Sequence, residues 1–271
     1  MTEAIGERYL DLLKGCLTRA IFESPAITVV EATGRLGLVR TVARALDHSP
    51  LELARVQPFN PRLRMTGRDW PSDAETMIGT LRLNNLHECI RTVLCDKVPG
   101  DFIETGVWRG GSCIFMRAAL DAYNDPDRIV WLADSFAGLP KPNPVMYPAD
   151  ANDTHWTHEE LPVSLEQVRE NFQRYGLLDD RVRFLKGWFR DTLPTAPIEQ
   201  LAILRLDGDM YESTIQALNE LYPKLSPGGF CIVDDYGAVP ACKQAVADYR
   251  AANGITGTIH EIDWTGAYWR T

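Results

Sequence analysis

The chain has 271 residues, 45% of them hydrophobic and 24% charged, the proportions of a globular protein able to bury a substantial core. A net charge of -9 leaves no basic surplus to neutralise phosphates, which excludes nucleic acid as the main partner and suits a neutral or cationic ligand. The six cysteines show no CxxC spacing, Met1-Thr2-Glu3-Ala4 is not a secretory signal, and no apolar run approaches membrane-spanning length, so a reduced, cytoplasmic protein is expected.

Residues 5–22 carry Tyr9, Leu10, Leu13, Cys16, Leu17 and Ile21 at helical spacing and predict an amphipathic helix. The pattern then blurs. Residues 31–45 fit a helix, and the stretch with Pro58, Pro61, Arg62, Arg64 and Arg68 predicts an irregular surface loop. Residues 1–71 thus form an N-terminal extension, either an oligomer contact, a flap over a pocket or a linker. Ser72–Lys97 predicts a second helix, with Ser72 and Glu75 spaced as a capping box and Ile78, Leu81, Leu86, Ile90 and Leu94 on its apolar face. From Asp101 strands (101–105, 128–134, 181–186, 201–206, 230–233) alternate with helices (111–123, 163–175, one between residues 207 and 227, and 240–251). Two short runs, 257–263 and 267–270, joined by Trp264-Thr265-Gly266, predict a closing hairpin. The alternation defines one α/β domain over 72–271: a doubly wound, mostly parallel, seven-stranded sheet with an antiparallel C-terminal hairpin at its edge.

Two turns carry the chemistry. The first, DFIETGVWRGGSC (101–113), is a strand, a glycine turn and a helix start, in which Gly106, Gly110 and Gly111 permit close approach of a ligand. Glu104 just before the turn would repel a pyrophosphate but attract the ammonium and sulfonium of S-adenosylmethionine, so it favours a methyl donor over NAD and opposes an NAD-linked oxidoreductase. Asp134, ending the next strand, can accept hydrogen bonds from a ribose diol or simply cap a helix. Gly187 and Trp188 after the third strand either flank an adenine or belong to the core. The second turn is shared by LAILRLDGD (201–209) and FCIVDDY (230–236), two apolar runs that a crossover helix makes parallel neighbours. Asp207, Asp234 and Asp235 then meet at the carboxyl edge of the sheet. Carboxylates that close repel one another unless a proton or cation intervenes, and Mg2+ is the simplest oxygen-bound cation. Gly208 can break the strand and re-aim Asp209.

The stretches ETGVWRGG (104–111), WLADSF (131–136), NFQRYGLLDD (171–180), FLKGWFRDTLP (184–194), LRLDGDMY (204–211), LSPGGFCIVDDY (225–236), the closing YWR (268–270) and MIGTLRLNNL (77–86) resemble the macrocin O-methyltransferase family, from about Glu75 to the C-terminus. Its members methylate deoxysugar hydroxyls in antibiotic pathways. The resemblance implies a class I Rossmann-like methyltransferase fold, S-adenosylmethionine, Mg2+ and a homodimer or higher homo-oligomer. Position by position it makes Asp207, Asp234 and Asp235 metal ligands and Asp209 the general base. The donor site expected from these stretches comprises Met77, Ile78, Glu104, Thr105, Gly106, Gly110, Ser112, Asp134, Ser135, Gly187, Trp188 and Asp207. The acceptor expected is a small-molecule glycoside or nucleotide sugar; a catechol-type O-methyltransferase acting on a vicinal aromatic diol would use the same metal site. Residues 24–70 and the insertion 138–161 have no counterpart in the resemblance and are expected to shape the acceptor pocket. His155 and His158 lie in that insertion, and His158 is the alternative base should Asp209 point away.

Overall fold

A computed structural model of the chain describes residues 3–29 and 54–271. The helix expected at 31–45 lies outside the described residues. Helix α1 (Glu3–Leu17) is followed by a small antiparallel pair, β1 (Ala26–Val29) and β2 (Ala54–Gln57), and a one-turn helix α2 (Pro61–Met65). Then come α3 (Gly79–Cys95), β3 (Asp101–Thr105), α4 (Gly111–Ala122), β4 (Val130–Asp134), α5 (Leu165–Arg174), β5 (Val182–Lys186), α6 (Phe189–Thr192), β6 (Leu201–Leu206), α7 (Tyr211–Leu221), β7 (Leu225–Val233), α8 (Pro240–Ala252), β8 (His260–Glu261) and β9 (Ala267–Arg270).

The sheet runs β5-β4-β3-β6-β7-β9-β8, with β3 to β7 parallel and the last two strands antiparallel. It is the doubly wound seven-stranded sheet that the alternation predicts. From β3 the chain winds outward through β4 and β5, then returns to build β6 and β7 on the other side. The crevice at the carboxyl ends of β3 and β6 is therefore the switch point at which such sheets bind ligands. Every residue of β6 is buried, as its apolar run LAILRL predicts for a strand covered on both faces. Two apolar layers enclose the sheet. One holds α1, α3 and α4 around Leu10, Leu86, Ile114 and Phe115; the other holds α7 and α8 around Leu218, Val246 and Trp269.

Four local expectations are corrected. The first helix stops at Leu17 rather than residue 22, because Arg19 (φ 58°) turns the chain and leaves Ile21 and Phe22 exposed. The second starts at Gly79, not Ser72, and no capping box forms. Arg109 takes the carbonyls of Ser72 and Ala74 (2.6 and 2.9 Å), the Gly111 amide takes that of Glu75, and Gly79 has φ +72° with no room for a Cβ. Residues 58–68 are not merely an irregular loop: Asn60 caps α2, and Arg64 is buried against Asp69. Strand β7 starts at Leu225, ahead of the Pro227-Gly228-Gly229 turn, which becomes an irregularity in its pairing with β6. Among the described residues no helix is long and apolar enough to cross a membrane.

Candidate active site

A cleft of about 390 Å³ opens at the switch point. Its floor is set by backbone pairing that runs beyond the strands. The Asp207 amide donates to the Thr105 carbonyl (2.8 Å) and the Asp234 amide to the Leu206 carbonyl (2.8 Å), so the ends of β3, β6 and β7 are aligned. Gly106 (φ +85°) is pressed so close to this edge that a Cβ would lie 1.8 Å from the Asp207 carbonyl oxygen. No other residue fits there.

This alignment brings Asp207, Asp234 and Asp235 together, with one carboxylate oxygen from each inside 4.8 Å of the others. Asp209 reaches the same cleft by a route the sequence left ambiguous. It is Asp209 itself, not Gly208, that adopts the left-handed conformation (φ 57°), which turns its side chain away from the line of β6. Its amide donates to Asp235 Oδ2 (3.2 Å).

Two guanidinium groups, absent from the sequence reading, are built into the cluster. Arg205 donates to Glu104, Asp207 (2.6 Å) and Asp234, tying the ends of β3, β6 and β7 with one side chain that is 1% exposed. Arg82 of α3 holds the other oxygen of Asp234 and lies 3.2 Å from Asp263. A signal for both was present. Arg205 interrupts an otherwise apolar strand, and Arg82 falls between Ile78 and Leu86 at helical spacing. Among the described residues, even with both cations counted, Glu104, Asp207, Asp209, Asp234 and Asp235 leave at least three negative charges unmatched at full ionisation. The electrostatics follow. Burial, then the Asp234 charge, raises the Asp207 pKa to about 6 against the opposing pull of Arg205. Burial and the Asp207 charge raise Asp209 to about 7, and burial with three neighbouring carboxylates lifts Asp235 well above the carboxylate range. Such a donor set, all oxygen and under-neutralised, fits a hard divalent cation.

The other wall is the glycine turn. Asp134 accepts the amides of Val107 and Phe136 (both 2.7 Å), so it fixes the turn after β3 while facing the cleft; burial raises its pKa against those two hydrogen bonds. Glu104, 2% exposed, accepts the Cys113 thiol (2.8 Å) as well as Arg205, and burial pushes it up to about 7. It faces the cleft as a paired acid, its charge shared with Arg205. Met77, Ile78, Gly106, Ser112, Ser135, Gly187 and Trp188 also line the cleft. Thr105 and Gly110 do not. Thr105 is 1% exposed and serves through its carbonyl, and Gly110 caps α4 with Val168 and Phe172 packed over it.

The insertion 138–161 forms the outer wall through Gly138, Leu139, Pro140, His155, His158 and Leu161, opposite Gly67 and Trp70 from the N-terminal part and Trp264 from the closing hairpin. It is docked by Asp150, fully buried, whose two oxygens accept the amides of Tyr211 (2.7 Å) and Glu212 (2.9 Å) at the start of α7.

A doubly wound sheet of this order with a ligand cleft at its switch point is the class I methyltransferase fold. A family model described as macrocin O-methyltransferase (TylF) matches residues 6–271. The chain is 51% identical over 271 residues, all of this chain and 95% of the relative, to the 8-demethyl-8-(2,3-dimethoxy-alpha-L-rhamnosyl)-tetracenomycin-C 4'-O-methyltransferase of Streptomyces olivaceus. It is 50% identical over 267 residues, 97% of this chain and 96% of the relative, to the mycinamicin III 3''-O-methyltransferase of Micromonospora griseorubida. Among solved structures the O-methyltransferase NovP superposes with a TM-score of 0.84 at 45% identity, covering 98% of both chains. The chain belongs to the macrocin O-methyltransferase family, and it is an S-adenosylmethionine-dependent O-methyltransferase.

Proposed function

We propose that the protein methylates a hydroxyl of a deoxysugar carried by a natural product, with Mg2+ held by Asp207, Asp234 and Asp235 and Asp209 as the base. The observation that carries the reading is the under-neutralised acid cluster on the floor of the donor cleft. The names of the relatives support the acceptor class: that from S. olivaceus is named for a rhamnosyl-tetracenomycin and that from M. griseorubida for mycinamicin III.

S-adenosylmethionine, the methyl source, would lie along the glycine turn. Asp134 and Ser135 would face its ribose, Met77, Ile78, Gly187 and Trp188 its base, and Glu104 and Ser112 its amino-acid end. Gly106 keeps the turn low enough for that approach, and Asp207 faces donor and acceptor alike. Asp207, Asp234 and Asp235 would hold Mg2+, which when bound would supply Lewis acidity toward an acceptor hydroxyl. Asp209, with a pKa near 7, removes the hydroxyl proton as the oxygen attacks the methyl carbon. Arg205 and Arg82 keep Asp234 aimed throughout, and much of the rate comes from such positioning. Residues 54–71 and 138–161 would close over the acceptor. The exposed Ile5, Leu12, Ile21 and Phe22 suit contact with a second copy in a cytoplasmic homo-oligomer.

The test is product formation from a panel of glycosides and catechols with labelled donor, with and without chelator, beside calorimetry of donor binding. Asp234→Asn is expected to abolish turnover and leave donor affinity nearly intact. Full turnover in chelator, or methylation of catechols alone, would refute the reading.

A further inference from the structure

The turn Trp264-Thr265-Gly266 between β8 and β9 is held more firmly than a surface turn requires. Asp263 Oδ1 accepts the amides of Thr265 (3.0 Å) and Gly266 (2.8 Å), and the Ile262 amide donates to the Gly266 carbonyl (2.8 Å). Thr265, 3% exposed, donates through Oγ1 to the Asp234 carbonyl (2.9 Å), and its own carbonyl accepts the Gly237 amide (2.7 Å). The indole of Trp264 is fixed separately. Its Nε1 donates to the Thr66 carbonyl (2.8 Å), and the Arg68 guanidinium carbon lies 4.6 Å from the ring centroid. Arg68 covers the ring from outside the cleft, whereas Trp264 lines the cleft and keeps 42% of its surface exposed.

A side chain anchored at so many points offers a ready-made surface. With the N–H already engaged, what the indole presents to a ligand is an apolar ring face, and stacking on a preordered face costs little further ordering. The donor lies along the glycine turn in the function proposed above and leaves this face unused. Trp70, 47% exposed, also lines the cleft and widens the apolar surface. The charge of the cleft narrows the class of occupant. Carboxylic acids outnumber basic groups along its described lining, so a diphosphate would be repelled where a neutral ring is not.

We propose that Trp264 is a specificity-determining residue for the acceptor: its indole face stacks on an uncharged apolar ring that carries the sugar. The proposal rests on the acceptor being a deoxysugar glycoside. Thr265 joins this platform to the backbone of Asp234, so a ring seated on Trp264 brings its sugar to the acid cluster at a set distance. The hydroxyl that falls within that reach is the one presented for methylation.

The experiment is calorimetry in the presence of S-adenosylhomocysteine and Mg2+, with para-nitrophenyl α-L-rhamnoside, methyl α-L-rhamnoside and dTDP-L-rhamnose as probes. The proteins are the parent, Trp264→Ala and Trp264→Phe, each checked for folding by circular dichroism. The nitrophenyl glycoside is expected to bind the parent on the order of 10-fold tighter than the methyl glycoside, with the nucleotide sugar weakest. Trp264→Ala should erase that ratio and leave the affinities for the methyl glycoside and S-adenosylhomocysteine unchanged. Trp264→Phe, which keeps a ring but lacks the N–H, should restore most of it. A nitrophenyl preference that survives in Trp264→Ala, or an equal loss of S-adenosylhomocysteine affinity there, overturns the platform; so does tightest binding by the nucleotide sugar. A parent that binds neither rhamnoside refutes the sugar acceptor itself, so the two failures are told apart.

Discussion

Arg64 and Arg205 are both almost completely buried, at 2% and 1% exposure, yet they sit in opposite electrostatic situations. Among the described residues Arg64 has one acidic partner, Asp69, contacted through Nε at 3.0 and 3.1 Å; its remaining nitrogens donate to the carbonyls of Thr18 (2.9 Å) and Ser24 (2.6 Å). That unit is neutral and closed, and it pins the segment around α2 to the turn after α1. Arg205 has three acidic partners on three strands and satisfies none of them fully. A buried cation that closes its own charge is architecture. One that organises more acid than it can neutralise, at the bottom of a cleft, leaves room for something else to bind.

The difference can be broken experimentally. Arg205→Met should be the severest change, because it leaves Glu104 and Asp207 without their cation and Asp234 with Arg82 alone. A loss of about 3–5 kcal/mol or more in urea unfolding is expected, a large share of typical domain stability. Arg64→Met should cost about 3 kcal/mol, and replacing Asp69 by Leu in the same chain should recover most of it, since a closed buried pair can be exchanged for apolar groups. The double change would then read near the parent in the same assay; a loss equal to the sum of both single changes would mean the pair is not closed. Saturating Mg2+ should raise the melting midpoint of the parent and of Arg64→Met by several degrees, about 2.7 kcal/mol at a hundredfold excess over Kd, and that of Asp234→Asn far less. An equal shift in all three would remove the cation from the acid cluster.

The smallest effect sharpens the charge argument. Asp209 has its pKa raised in the folded chain to about 7, from about 3.9 when unfolded, so the unfolded state releases its proton first. Stability from this group is complete below about pH 4 and is lost as pH rises through 7. In chelator, Asp209→Asn should therefore be more stable than the parent at pH 8, by on the order of 1 kcal/mol, with the gap closing near pH 4. A variant less stable at both pH values would contradict this.

Much of this was legible in the residues. The β-α alternation from Asp101 onward predicts the sheet, and matched aspartates after two neighbouring parallel strands predict their convergence, because both follow from strand period and crossover geometry. Arg82 and Arg205 were missed because long-range ion pairs carry no local pattern; an arginine inside LAILRL was the available clue. The capping-box expectation at Ser72 failed for a related reason. Its backbone is claimed by Arg109 and Gly111 from elsewhere in the chain, and tertiary contacts override a local motif. Glu104 lines the cleft, but nothing in sequence announces Cys113 and Arg205 as its partners.

The clamp made by Asp150 has an evolutionary consequence. A helix start that borrows its capping carboxylate from a distant loop makes one position of that loop indispensable and frees the rest to vary. On the proposed function, acceptor preference would drift through Gly138, Leu139 or Leu161 while the anchor keeps each new outer wall aligned with the turn that carries Asp209. Grafting foreign insertions around an unaltered Asp150 is thus the natural route to changing what this scaffold methylates.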